Sequence, residues 1–176
     1  MSTPSTPTPA KLVIGLFTRD KSLFVPIAEA LAVLFGITDT VSAWMDFDDT
    51  DYYHREMGSP LFRRMLSFES LIAQDDLADI KLATNAIEKK YAASDNRVVN
   101  IDPGYMLPSR FILATGKDFA HRVYIGKGIY ADLTLIYKNG SFATLPWTYP
   151  DYADNIMISY LQNVRGRYVG DLKNRT

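Results

Sequence analysis

The chain predicts an α+β fold, with a ferredoxin-like βαββαβ core over residues 11–102 extended by C-terminal β-hairpins and a final helix. Three observations carry this. Two stretches with apolar residues at helical spacing, 22–36 and 75–91, each lie between short apolar runs of strand character. The last third changes style to short β-rich runs separated by Gly-containing turns. The 176 residues, 47% apolar and 22% charged, suit one ordinary globular domain with a sizeable core.

Taken in order, residues 1–10 hold three prolines, Pro4, Pro7 and Pro9, and read as an extended, disordered Ser/Thr/Pro tail. Lys11 to Phe17 is a short buried strand. Ser22 can cap a helix that runs to Gly36, with Ile27, Leu31 and Leu34 on its inner face and Pro26 in its first turn. From Val41 to Phe47 the residues alternate: Val41, Ala43, Met45 and Phe47 face one way, and Ser42, Trp44, Asp46 and Asp48 the other. A polar connection, Asp48 to Pro60, leads to a longer strand within Phe62–Ala73. Asp75 and Asp76 open a second helix whose apolar line is Leu77, Ile80, Ala83/Thr84, Ile87 and Tyr91. Arg97–Ile101 is the fourth strand, followed by Asp102-Pro103-Gly104, which has turn chemistry. Phe111–Thr115, His121–Ile125 and Ile129–Tyr137 are further strands, and Lys138-Asn139-Gly140 signals a hairpin. Thr148 to Asp151 starts a last helix, with Tyr152, Ile156, Tyr160 and Val164 on one face, ending near Arg165 and Gly166. A single domain over residues 11–169 and a frayed tail over 170–176 follow. On the ferredoxin-like order, the second and fourth strands are expected to run in the same direction. That would bring Asp46/Asp48 and Asn100/Asp102 to one end of the sheet, roughly 14 Å apart.

Composition excludes much chemistry. There is no cysteine, and only two histidines, His54 and His121. Disulfides, thiolate zinc sites, cysteine-ligated iron–sulfur clusters, cysteine nucleophiles and a three-histidine zinc site are therefore ruled out. A metal would be held mainly by oxygens, which favours magnesium, manganese or calcium, with magnesium or manganese the cofactor expected here. The net charge of −1 gives no field for nucleic acid or an anionic membrane. No stretch is long and apolar enough for a membrane helix, and no secretory signal opens the chain, so a cytoplasmic location is expected. Residues 1–96 carry −5 and residues 97–176 carry +4, which fits either complementary surfaces or a site with one acidic and one basic lip.

Three clusters could carry chemistry. In the acidic run 44–54, Asp46 and Asp48 share a strand face and could hold one hard cation, or they could simply turn the chain. In Asn100-Ile-Asp102-Pro-Gly-Tyr105, Asn100 and Asp102 project from one face, beside an ordinary turn reading. In 119–132, His121 offers an acid/base and Arg122 and Lys127 two cations around Gly126-Lys127-Gly128. This suits an anion but equally a charged hairpin tip. Tyr105 and Trp147 are among the aromatics able to line a ligand. Neither Gly116-Lys117-Asp118 nor Gly126-Lys127-Gly128 completes a P-loop, and no dinucleotide fingerprint or Gly-x-Ser-x-Gly elbow is present.

Three strings, Arg97–Tyr105, Phe119–Asp132 and Trp147–Tyr152, resemble those of the family named domain of unknown function 4416, a set of bacterial proteins of about this length. With the strand before Asp46, the resemblance covers roughly residues 11–166. It implies motif positions but no reaction. It raises the standing of Asn100, Asp102, His121, Arg122 and Lys127 as parts of one site. Two functions are expected to compete. In the first, a small phosphorylated or carboxylated ligand is held by Asn100, Tyr105, Arg122, Lys127 and Trp147, with His121 and Asp102 as acid/base and Asp46 and Asp48 for a metal. In the second, an aromatic-rich sheet serves as a non-catalytic protein- or RNA-interaction module. A concave site for the polar strings would favour the first, and a flat apolar patch the second.

Overall fold

A computed structural model of the chain describes residues 1–47, 51–94 and 96–174. It is a mixed α/β structure built on a nine-stranded antiparallel sheet. The elements run β1 (Ala10–Thr18), α1 (Phe24–Phe35), β2 (Thr38–Val41), β3 (Met45–Asp46), α2 (His54–Met57), β4 (Phe62–Ile72), α3 (Leu77–Tyr91) and β5 (Val99–Leu107). After these come β6 (Arg110–Thr115), β7 (Arg122–Gly126), β8 (Ile129–Lys138), β9 (Ser141–Thr144), α4 (Pro150–Ala153) and α5 (Asn155–Lys173). No helix among the described residues is long and apolar enough to cross a membrane.

The order across the sheet is β2-β4-β1-β5-β6-β8-β7, with β3 also on β4 and β9 also on β8. Every residue of β1 is buried, so it reads as a continuous apolar run rather than an alternating one. Leu12, Ile14 and Leu16 point to one face, where they pack with Ile27 and Leu31 of α1 and Ile80 and Ile87 of α3. Val13 points to the other face, beneath Met157, Leu161, Val164 and Tyr168 of α5. Lys11 is wholly buried there, and its ammonium is taken by Asp39 and, at 3.3 Å, by Asp171 of α5.

Several expectations need correcting. β2 is antiparallel to β4, β4 to β1 and β1 to β5, so the second and fourth strands of the core run in opposite directions. Asn100 and Asp102 still reach the end of the sheet that holds Asp46, because they begin β5 rather than end it. The strand continues straight through Asp102-Pro103-Gly104, where a turn was expected, since pairing with Gly15, Ile14 and Val13 of β1 outweighs the local turn preference. The alternating run 41–47 is broken into β2 and β3. Ser42 brackets Met65, donating its N–H to the Met65 carbonyl (2.9 Å) and accepting the Met65 N–H on its hydroxyl (3.0 Å).

The last helix also differs. Thr148 accepts the Leu145 N–H and donates to the Thr134 carbonyl, tying a loop to β8 instead of opening a helix. Asp154 caps α5 by accepting the Ile156 N–H (2.7 Å), and α5 runs through residues 170–173, which had been assigned to a tail. Its apolar stripe continues past Val164 to the buried Tyr168, whose hydroxyl donates to the Pro9 carbonyl (2.7 Å).

Candidate functional site: a cleft where two strands part

β5 and β6 are paired only from Leu107↔Arg110 to Gly104↔Leu113. Past that point Ala114 and Thr115 stay on β8, and residues 100–102 are left with an open edge. A strand edge inside a protein cannot leave its backbone polar groups unpaired. The sequence of α3 supplies the partners, because residues 81, 85 and 88 fall on one helical face. Lys81 Nζ donates to the Ile101 carbonyl at 2.8 Å, and Glu88 accepts the Ile101 N–H at 2.6 Å. Pro103 suits the same edge: alternation points its missing N–H the same way as that of Ile101. The parted strands enclose a cleft of about 1160 Å³. Its walls come from β5, the end of β6, α3, α4 and the segment around α2.

The floor is set by register. Arg63 of β4, Phe17 of β1 and Asn100 of β5 form one row, and Met65, Gly15 and Asp102 form the next. A Cβ on Gly15 would stand 3.2 Å from the Tyr152 hydroxyl, so the glycine leaves the space that Tyr152 occupies. The Arg63 guanidinium is buried 4.4 Å from the Phe47 ring centroid, donates through Nη1 to Asp151, and holds Nη2 3.9 Å from Asp102. Asn100 accepts from Arg97 Nη1 at 2.7 Å. Arginine only donates, so the Asn100 oxygen faces it and the amide nitrogen faces away. Among the described residues, three buried polar atoms of this floor have no hydrogen-bond partner: Arg63 Nε, Asn100 Nδ2 and the Tyr152 hydroxyl. Burial also pushes the Tyr152 phenol up to about 12, partly offset by the neighbouring Arg63, so it stays protonated and able to donate.

The carboxylates lie in different surroundings. Asp102 is 3.5 Å from Lys81 Nζ and 3.9 Å from Arg63 Nη2, and accepts no hydrogen bond among the described residues. Glu88 is pushed up by burial, partly offset by Lys81. Glu56 is held below its usual range by the two hydrogen bonds from the Arg97 side chain, Nε at 2.8 Å and Nη2 at 2.7 Å. A depressed carboxylate stabilises the fold above its unfolded value and loses that contribution as pH falls. Glu56→Gln is therefore expected to flatten the fall in melting temperature between about pH 5 and 3 relative to the parent. Parallel curves for the two proteins would remove Glu56 from the account.

The residues singled out in the sequence divide into two groups. Asn100 and Asp102 line the cleft. His121 and Arg122 stand behind its wall and converge on Asp132, His121 through Nε2 at 3.2 Å and Arg122 through Nε at 2.9 Å. His121 stacks on Trp147 at 4.9 Å with an 11° interplanar angle, and Trp147 donates to the Leu133 carbonyl (2.8 Å). Asp132, nearly fully buried, is the residue of that string that lines the cleft. His121 and Asp102 are not brought together, each having its own partners. Lys127 sits at the β7–β8 tip at φ 56° and pairs with Asp79. It is roughly 16 Å along the strand from Arg122, so the two do not share a subsite. Tyr105 points to the opposite face from Asn100 and Asp102 and packs with Leu107 and Ile112. Asp46 is exposed and outside the cleft lining, and Asp48 lies outside the described residues. No group of three or more His, Asp or Glu among the described residues is arranged for a metal.

Arg63, Lys81, Glu88, Arg97, Asp132, Asp151 and Tyr152 were missed. Lys81, Asn85 and Glu88 do form a polar line beside the apolar line of α3, a pattern visible at helical spacing. Asp132 closes the Phe119–Asp132 string, where nothing in the local spacing marks it apart from its neighbours. None of the curated proteins or solved structures compared with the chain matches it. One family model does match, over residues 8–168, taking in every strand, the cleft and most of α5: the chain belongs to the family described as Domain of unknown function (DUF4416).

Proposed function

We propose that the protein binds a small anionic ligand, phosphorylated or carboxylated, in the cleft between β5 and β6. The observation that carries this is the set of three buried polar atoms without hydrogen-bond partners among the described residues, Arg63 Nε, Asn100 Nδ2 and the Tyr152 hydroxyl. Each is a hydrogen-bond donor, and an unsatisfied buried donor costs about 1–3 kcal/mol. Oxygens of a phosphate or carboxylate would satisfy all three. Lys89 and Lys117, exposed at the cleft mouth, add positive charge along the approach. The concave site favours this reading over a flat interaction module. Trp44, an aromatic that such a module would have to present, instead packs edge-on against Phe24 with Arg64 over its ring.

The β2-β4-β1-β5 order, with α1 and α3 in the crossovers, supports reading residues 11–102 as a ferredoxin-like core. On that reading the ligand enters where the C-terminal strands join the fourth core strand over only half its length. Asp102 is the group within reach for acid–base work, and His121 acts through Asp132 as a positioning residue. The test is a thermal-shift titration of the full chain with organic phosphates and carboxylates. A ligand at a hundred times its Kd adds about 2.7 kcal/mol, and Asn100→Asp, which turns a donor into an acceptor, is expected to weaken binding at least tenfold. Indifference to every anion, or undiminished binding by N100D, contradicts the proposal.

A further inference from the structure

We infer that the ligand is a hydroxylated anion of the sugar-phosphate or sugar-acid class, a reading that rests on the anion site proposed above and narrows it. The floor is not purely a donor site. Asp102 occupies the register row next to Arg63 and Asn100, and its carboxylate accepts no hydrogen bond among the described residues. Asp132 is similar: His121 and Arg122 take Oδ2, while Oδ1 has only a long 3.4 Å contact from Thr134. A bare anion on the three donors would meet these carboxylates with nothing to offer them and would be repelled. A ligand that also carries hydrogen-bond donors meets both needs at once.

The donor must be neutral. Asp102 already has Lys81 at 3.5 Å and Arg63 at 3.9 Å, so a ligand ammonium would enter beside two cations. A hydroxyl satisfies a carboxylate oxygen without adding charge. Asp132 of β8 lies in the row of Leu113 and Gly104, two strand spacings from β5, and Asp102 is two residues further along β5 where the strands part, so the two are at least roughly 12 Å apart. The hydroxyls must therefore be spread over several atoms, as in a polyol. The cleft of about 1160 Å³ has room for such a molecule. Tyr149, whose hydroxyl accepts from Arg122 Nη2 at 2.6 Å, presents a ring at its rim.

The experiment is calorimetric titration of the full chain with matched pairs: gluconate against hexanoate, and glucose 6-phosphate against hexyl phosphate. In at least one pair, the hydroxylated member is expected to bind ten or more times tighter. Which pair shows it separates the carboxylate from the phosphate source. Asp102→Asn, close to isosteric, should reduce that ratio to near unity by weakening the hydroxylated member while sparing or strengthening the plain one. Equal affinities within both pairs, measured on the parent protein, overturn the inference and leave the anion site standing. Binding by neither member of either pair overturns both.

Discussion

Replacing Arg63 by methionine is expected to lower stability by about 3–5 kcal/mol. At this chain length that corresponds to roughly 6–20 °C in melting temperature. The side chain is about 5% exposed, and its guanidinium is the partner of Asp151 and one of two cations beside Asp102. Removing it leaves the partly buried Asp151 without its counter-charge, because desolvation of a carboxylate is not reversed by an apolar neighbour. Methionine keeps much of the volume against Phe47 and Tyr152, so the loss reports charge rather than a cavity. Adding Asp151→Leu to Arg63→Met should recover part of the loss, since an ion pair replaced on both sides by apolar groups can be nearly neutral. A single-variant loss below about 1 kcal/mol would show that the pair contributes no more than a surface contact.

Gly104→Ala is the second change with a large expected effect. A Cβ at this position would stand 2.4 Å from the Ile112 carbonyl oxygen, 3.0 Å from Leu113 Cδ2 and 3.1 Å from Phe111 Cζ. The first of these is backbone and cannot rotate away, and Gly104↔Leu113 is the last pair before β5 and β6 part. The strands must separate there, extending the gap into the core. The expected cost is about 3 kcal/mol, at the upper end for a methyl group added to a packed interior, and anion binding should fall with it as the floor shifts. Gly116→Ala is the matched control. None of the described residues places an atom within 4 Å of its would-be Cβ, so a change within about 0.5 kcal/mol is expected. Equal melting temperatures for G104A and the parent would mean that the strands do not approach this closely.

Most elements were legible because they are locally encoded. The apolar line of α3, the buried run of β1 and the Asn139-Gly140 hairpin each follow from spacing over a few residues. So did the pairing of Asn100 with Asp102 on one strand face. The path of β5 through Pro103 and Gly104 was not legible, because the local preference of Asp-Pro-Gly is a turn and only the long-range partner β1 overrides it. Arg63 and Arg64 are equally basic neighbours in sequence. Their roles separate only through strand alternation and register: Arg63 joins the cleft row with Phe17 and Asn100, while Arg64 turns to the other face over Phe24 and Trp44. The histidine string misled for a related reason. His121, Arg122 and Lys127 are close in sequence, but the strand carries Lys127 away to Asp79, and the β7–β8 pairing Arg122↔Asp132 makes that aspartate the shared point of His121 and Arg122 alone. Charge spacing along a chain does not show which side chains share a pocket when the intervening residues are extended.

The central claim is that the unmatched donors at the cleft floor are completed by an anion, and Asn100 reports on it directly. In a ¹⁵N spectrum its side-chain amide gives two proton signals of its own, from the nitrogen that has no partner among the described residues. Titrating the full chain with gluconate or glucose 6-phosphate is expected to move both signals saturably, with the same midpoint as the rise in melting temperature. Signals that stay in place while the protein is stabilised, or while only exposed lysines at the mouth respond, would contradict the account, because the anion would then be held at the surface and not at the floor.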